Sequence, residues 1–173
     1  MKKFNTYIEN LISEFSNSDS YTLINNISKR INWPKGYGVY TLWNKSISYE
    51  NLIYVGLTGK YKRNKFGVIE LNSGSFGKRS IRYTPYRFCN SPKDDDAYRY
   101  SFRYGPKYSK GKLQNNHKYD KNAYRHTILY SDLLIATFNA DTMKAYTPAL
   151  LESLILTNYF IEEGKLPPAN NEL

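Results

Sequence analysis

Residues 38–56 read GVYTLWNKSISYENLIYVG. Two segments of strand composition, 38–43 and 51–57, flank the polar connection NKSISYE, a pattern that predicts an antiparallel hairpin. The hairpin begins on Gly38-Val39-Tyr40 and closes on Tyr54-Val55-Gly56, two triplets that are near mirror images. Pairing symmetric about Ile47 sets Tyr40 directly opposite Tyr54. Alternation then predicts one face carrying Val39, Thr41, Trp43, Ile53, Val55 and Leu57, and another carrying Tyr40, Leu42, Leu52 and Tyr54. The two tyrosines share a side, and Gly38 and Gly56 leave the surface beside them uncrowded.

Working outward, Phe4, Tyr7, Ile8, Leu11, Ile12 and Phe15 recur at helical spacing and predict an amphipathic helix over 2–16. After the polar break SNSDS, Leu23, Ile24, Ile27 and Ile31 predict a second, shorter helix over 22–31. Pro34, Gly36 and Gly38 close it and begin an extended segment. Downstream of the hairpin, residues 57–75 (LTGKYKRNKFGVIELNSGS) are polar, basic and punctuated by glycine, which predicts a loop insertion or an irregular hairpin. A short helix is expected from Phe76 to Tyr83, ending before Pro85. Residues 127–138 (TILYSDLLIATF) form the third strand candidate. The last helix has Thr147 as N-cap, Pro148 at its first position, and a stop at Gly164 after Glu163. These elements predict a single α/β (α+β) domain over 1–173: a small, mainly antiparallel three-stranded sheet flanked by helices. A helical addition occupies 1–33 and a long polar insertion occupies 90–123.

The chain has 173 residues, enough for one domain with a sizeable core, and 40% of them are hydrophobic. Its single cysteine, Cys89, excludes an intramolecular disulfide and a cysteine-rich zinc site, and fits a reducing, cytoplasmic setting. The N-terminal segment is interrupted by Asn5, Glu9 and Ser13, unlike a signal-peptide core, and no apolar run is long enough to span a bilayer. The formal charge of +10 attracts polyanions. Within YRYSFRYGPKYSKGK (98–112), Tyr98, Tyr100, Tyr104 and Tyr108 alternate with Arg99, Arg103, Lys107, Lys110 and Lys112. Cations there can neutralise phosphates while rings pack on sugars and bases, so the stretch points to nucleic acid.

With these pieces in order, the chain resembles the GIY-YIG nucleases, small α/β domains that hydrolyse DNA phosphodiesters. Gly38-Val39-Tyr40 looks like the family's first strand motif and Tyr54-Val55-Gly56 like its second. Phe76-Gly-Lys-Arg79, followed by Tyr83, looks like the helix that bears the family's arginine. Glu152, in ALLESLIL, looks like the metal-binding glutamate, and Pro167-Pro168-Ala-Asn170-Asn171 like the terminal proline-then-asparagine element. The match covers about residues 36–57, 76–83 and 148–171. The spacing to Arg79 is longer than in compact members, so Arg82 is a rival for the arginine role. Many members carry histidine where this chain has Tyr83; that tyrosine, or a lysine such as Lys60, is left for the corresponding work. Asn170 and Asn171 both fit the asparagine position.

The resemblance implies a divalent-metal-dependent endonuclease of double-stranded DNA. Hydrolysis needs a deprotonated water, cations facing the phosphorane, and help for the departing oxygen. Glu152 would hold one Mg²⁺ or Mn²⁺ per site, and Arg79 would face the non-bridging oxygens. Tyr40 is the favoured general base, with Tyr54 assisting. A tyrosine fills that role only when its ordinary pKa of about 10 is lowered, as a metal and nearby cations would do. Lys62, Arg63, Lys65, Arg99, Arg103, Tyr104, Lys107 and Tyr108 are the candidate DNA contacts, because the long loops must supply recognition. This size suits a stand-alone, sequence-specific restriction-type enzyme, with a homodimer placing one site on each strand of a palindrome. A structure-selective repair or recombination nuclease and a non-catalytic DNA-binding module are the alternatives. Paired strand tyrosines commonly just pack. The Asp94-Asp95-Asp96 run reads as a solvated turn, and His117 and His126 lack companions for a zinc site.

Overall fold

The computed structural model describes residues 2–25, 33–72, 75–76, 86–87, 98–101, 108–109, 112–113, 127–129, 132–143, 145–168 and 170. In chain order the strands are β1 (Tyr21–Ile24), β2 (Gly38–Asn44), β3 (Leu52–Leu57), β4 (Lys60–Arg63), β5 (Ile69–Asn72) and β6 (Tyr86–Arg87). They continue as β7 (Tyr98–Ser101), β8 (Tyr108–Ser109), β9 (Lys112–Leu113), β10 (Thr127–Leu129) and β11 (Leu133–Asn139). Helix α1 spans Lys3–Ser16 and α2 spans Pro148–Glu163. The main sheet has four antiparallel strands in the order β1-β11-β2-β3. The α+β class expected from the sequence is the one observed, with four strands rather than three.

Both helices pack on one face of this sheet. Phe4, Ile8, Leu11 and Phe15 of α1 and Leu151, Ile155, Leu156 and Tyr159 of α2 form one buried cluster with Val39, Trp43, Leu52, Val55, Ala136 and Phe138. Ring contacts tie the helices to each other and to the sheet: Phe4 meets Tyr159 edge-on at 5.3 Å, and Phe15 meets Phe138 edge-on at 5.4 Å. The buried indole of Trp43 donates to Thr41 Oγ1 at 2.7 Å, so its polar atom is satisfied inside the core. Helix α2 begins as its sequence predicts: Thr147 Oγ1 accepts from the Leu150 amide at 3.2 Å, and Pro148 occupies the first turn. It ends on Gly164, left-handed at φ 67°, whose amide donates to the Phe160 carbonyl at 2.7 Å.

Three expectations are corrected. Residues 21–24 are the edge strand β1, not the start of a helix. Their short apolar pattern suits either state, and pairing of Tyr21 with Phe138 and Ile24 with Ile135 decides it. Residues 26–31 of that expected helix lie outside the described residues. The segment 127–138 is not one strand: β10 pairs with β7 in a separate three-stranded sheet, and only β11 joins the main sheet.

The third correction concerns the hairpin. Tyr40 lies opposite Gly56, and Leu42 opposite Tyr54, so the register is displaced by two residues from the symmetric one. A displacement of two preserves the faces, which is why Tyr40 and Tyr54 still share a side. A bulge follows, since Trp43 pairs with Leu52 and leaves Ile53 as the extra residue. It turns Leu52 to the helix side, into the cluster with Trp43, reversing the expected placement of Leu52 and Ile53. The asymmetric connection explains the shift: Lys45 is left-handed at φ 69°, and Tyr49–Asn51 coil into a 3₁₀ turn. Asn5 Oδ1 accepts from the Tyr49 amide at 2.8 Å and fixes that turn to α1.

Beyond β3, the segment that read as a loop or irregular hairpin is a hairpin, β4 paired with β5. Of the short helix expected over 76–83, only Phe76 is described; it is helical and fully buried, and its amide donates to the Gly36 carbonyl at 3.1 Å. Among the described residues no helix is long and apolar enough to cross a membrane.

Candidate active site

The sheet face turned away from α1 and α2 carries Tyr40, Leu42, Tyr54, Gly56, Ile135 and Thr137, as the register dictates. Its centre is aromatic. The Tyr40 and Tyr54 rings lie 5.9 Å apart at 45°, as diagonal neighbours across β2 and β3. Trp33 meets Tyr40 edge-on at 5.9 Å from the other side. Tyr40 is 1% exposed, whereas Tyr54 is half-buried and is the more open of the pair.

Gly56 makes this pairing possible. A Cβ there would come within 2.5 Å of Tyr54 Cε1, 2.7 Å of the Tyr40 hydroxyl oxygen and 2.8 Å of Tyr40 Cζ. Real Cβ atoms do not approach so closely, so both rings occupy space that any other residue would fill. Gly38 has the same logic against backbone: its missing Cβ would collide with the Phe138 carbonyl oxygen on β11. Thr58 then locks the open end of the hairpin. Its amide donates to the Gly38 carbonyl at 2.8 Å, and its Oγ1 accepts from the Gly38 amide at 3.1 Å.

Asn170 braces the same strand from outside. Its Oδ1 accepts from the Val55 amide at 2.9 Å, and its Nδ2 donates to the Val55 carbonyl at 2.8 Å. The carboxamide thus pairs with the outer edge of β3 as a neighbouring strand would, at the residue between Tyr54 and Gly56. The tail reaches this position through a turn in which the Asn170 amide donates to the Pro167 carbonyl at 2.9 Å. Asn171 lies outside the described residues.

Glu152 stands in the second turn of α2 and is half-buried. At 100° per residue it falls within the arc formed by the buried Pro148, Leu151, Ile155, Leu156 and Tyr159 rather than on the solvent side. The carboxylate is thus partly enclosed on the helix face that packs against the sheet. That interface is on the opposite face of the sheet from the tyrosine pair. The strand that Asn170 grips, β3, is the outer strand of the sheet.

The other candidates divide by whether they are described. Lys60, Lys62 and Arg63 belong to β4; only the backbone of Lys60 and Lys62 is described, whereas Arg63 and Lys65 carry exposed side chains at the hairpin's end. Arg99 lies on β7, paired with Leu129 and Tyr86, and Tyr108 begins β8. Arg79, Arg82, Tyr83, Arg103, Tyr104 and Lys107 lie outside the described residues, as do Asp94, Asp95, Asp96, His117 and His126. Among the described residues no three of His, Cys, Asp or Glu gather as a metal cluster. A single carboxylate such as Glu152 fits a hard divalent ion whose remaining positions are filled by water and phosphate oxygens.

Three contacts that shape the site were not foreseen from the sequence. Gly56 as the partner of Tyr40 was announced by a glycine inside a strand, a mark of close approach. Thr58 carried no signal beyond its place after the strand. The partner of Asn170 was invisible, because Val55 is 115 residues away in sequence. No protein-family model, curated protein or solved structure matches this chain.

Proposed function

We propose that the chain is a divalent-metal-dependent endonuclease of double-stranded DNA, of the GIY-YIG kind, and that it acts in the cytoplasm as a restriction-type enzyme. The observation that carries this reading is the Tyr40–Tyr54 pair seated over Gly56. A side chain at position 56 would displace both rings, so the glycine is what allows the two phenols to sit together. The brace of Asn170 on Val55 supports it, because it fixes the strand residue between the two motif positions.

In this mechanism Tyr54, the more open ring, faces the attacking water and Tyr40 orients it from below. Glu152 would hold the divalent ion, which would supply Lewis-acid charge for the phosphate and make a bound water more acidic. Arg79 or Arg82 balances the charge on the non-bridging oxygens. Duplex DNA is the substrate and a homodimer the working unit, one site to each strand.

A plasmid cleavage assay with Mg²⁺, with EDTA and with Glu152→Ala tests the reading. Discrete fragments that vanish with EDTA and with the variant are expected. Intact plasmid together with cleaved branched DNA would assign a structure-selective nuclease instead. One observation favours a second reading, a DNA-binding module without catalysis: Tyr40 is 1% exposed and so remote from solvent. Salt-dependent binding with every substrate left intact would establish that module.

A further inference from the structure

The turn joining β4 and β5 is built to hold an aromatic ring in solvent. The Asn64 amide donates to the Val68 carbonyl at 2.8 Å, and the Gly67 amide donates to the Asn64 carbonyl at 3.0 Å. With Gly67 left-handed at φ 81°, these bonds define a three-residue loop, a tight turn closed by a glycine bulge. Asn64 Oδ1 accepts from the amides of Phe66 at 2.9 Å and Val68 at 3.0 Å, which stiffens the loop from within. Its Nδ2 donates to Glu70 Oε1 at 2.6 Å.

On this frame Phe66 is 77% exposed and Val68 56% exposed. Neither position of the turn calls for an apolar residue, and a lone exposed side chain would need no explanation. Two on one rigid tip are a different matter. The ammonium of Lys65 lies 5.0 Å from the centre of the Phe66 ring, and Arg63, at the end of β4, is exposed. Residues 60–70 hold four cationic residues, Lys60, Lys62, Arg63 and Lys65, against the single carboxylate of Glu70, which Asn64 already engages.

We propose that this tip is a DNA-deforming wedge: Phe66 inserts at a base step in the minor groove while Lys65 and Arg63 hold the flanking phosphates. Apolar side chains on rigid turns kink duplexes by partial unstacking, and flexible pyrimidine–purine steps yield most readily. The cations set the polyanion as the occupant. An anionic lipid surface could use the same cations, but one ring and one valine offer it little apolar area. The inference rests on the proposed DNA-binding function and adds to it a place and a mode of contact.

The test uses the full chain in EDTA with short duplexes rich in TpA and CpA steps, their ends labelled for fluorescence energy transfer. The wild-type protein is expected to bring the duplex ends closer. Phe66→Ala abolishes that change and weakens binding by about tenfold, with the salt dependence unaltered. Phe66→Leu keeps the bend. Lys65→Ala and Arg63→Ala keep the bend but each lowers the slope of log affinity against log salt by about 0.9. A wild-type complex that leaves the duplex straight, or a bend that survives Phe66→Ala, overturns the wedge while leaving DNA binding intact. Failure of the wild-type protein to bind any duplex overturns the wedge and the functional reading together. Loss of binding to phosphatidylserine vesicles in Phe66→Ala, with duplex behaviour unchanged, reassigns the tip to a lipid surface.

Discussion

Tyr40 lies across the sheet from Gly56 rather than from Tyr54, and its phenol fills the space that a side chain at position 56 would take. The two motif tyrosines therefore meet diagonally, with the glycine of the second motif as their floor. The triplets are linked because the last residue of one makes room for the last residue of the other.

Gly56→Ala is accordingly a test of the site as much as of the fold. The new methyl must displace both rings, since its nearest atoms lie at 2.5, 2.7 and 2.8 Å. Overpacking of this kind should destabilise by about 1–3 kcal/mol, read from denaturant unfolding. DNA cleavage should fall with it under conditions where the variant is fully folded. An alanine variant as stable as the wild type would show that the rings are freer than the geometry implies.

Asn170→Ala removes two hydrogen bonds to Val55, and a loss of about 1–3 kcal/mol is expected from unfolding curves. Asn170→Asp keeps an acceptor for the Val55 amide but sets a carboxylate against the Val55 carbonyl, so it should be no better than alanine. If Asn170 acts by positioning Tyr54, both variants lower kcat more than they raise KM.

Glu152→Gln preserves shape and should leave the thermal midpoint near that of the wild type. It should lower cleavage at least ~10²-fold, the scale of losing one electrostatic contact to a transition state. Calorimetric titration with Mn²⁺ provides a second readout, with binding to the wild type and none to the variant. Retained cleavage would remove Glu152 from the site.

Alkaline stability follows from two half-buried tyrosines packed against the core. Burial pushes the phenols of Tyr7 and Tyr21 up from 10.0 to about 12, with Tyr146 and Glu14 adding to the effect at Tyr7. A group whose folded pKa is raised contributes stability that is intact below its unfolded pKa and lost as pH rises through the folded value. The protein should hold its melting temperature up to pH 10 and lose it progressively between pH 10 and about 12. Tyr7→Phe and Tyr21→Phe should each flatten that decline. An unchanged slope in both variants would place the alkaline transition elsewhere.

Elements whose signals are local could be read from the residues alone. The 3.6-residue spacing of Phe4, Ile8, Leu11 and Phe15 specified α1, and Thr147, Pro148 and Gly164 marked both ends of α2, because caps and periodicity act within a turn or two. Strand alternation likewise put Tyr40 and Tyr54 on one side, a result that survives any even shift of register. Features that depend on distant partners emerged only with the folded chain. Pairing with β11 made Tyr21–Ile24 a strand, since four apolar-patterned residues carry no preference strong enough to resist a waiting sheet edge. The Asn5 contact to Tyr49 and the bulge at Ile53 chose the hairpin register, which an irregular seven-residue connection leaves open. The clasp of Asn170 on Val55 was decided in the same way, by hydrogen-bonding groups that meet only once the chain has folded back on itself.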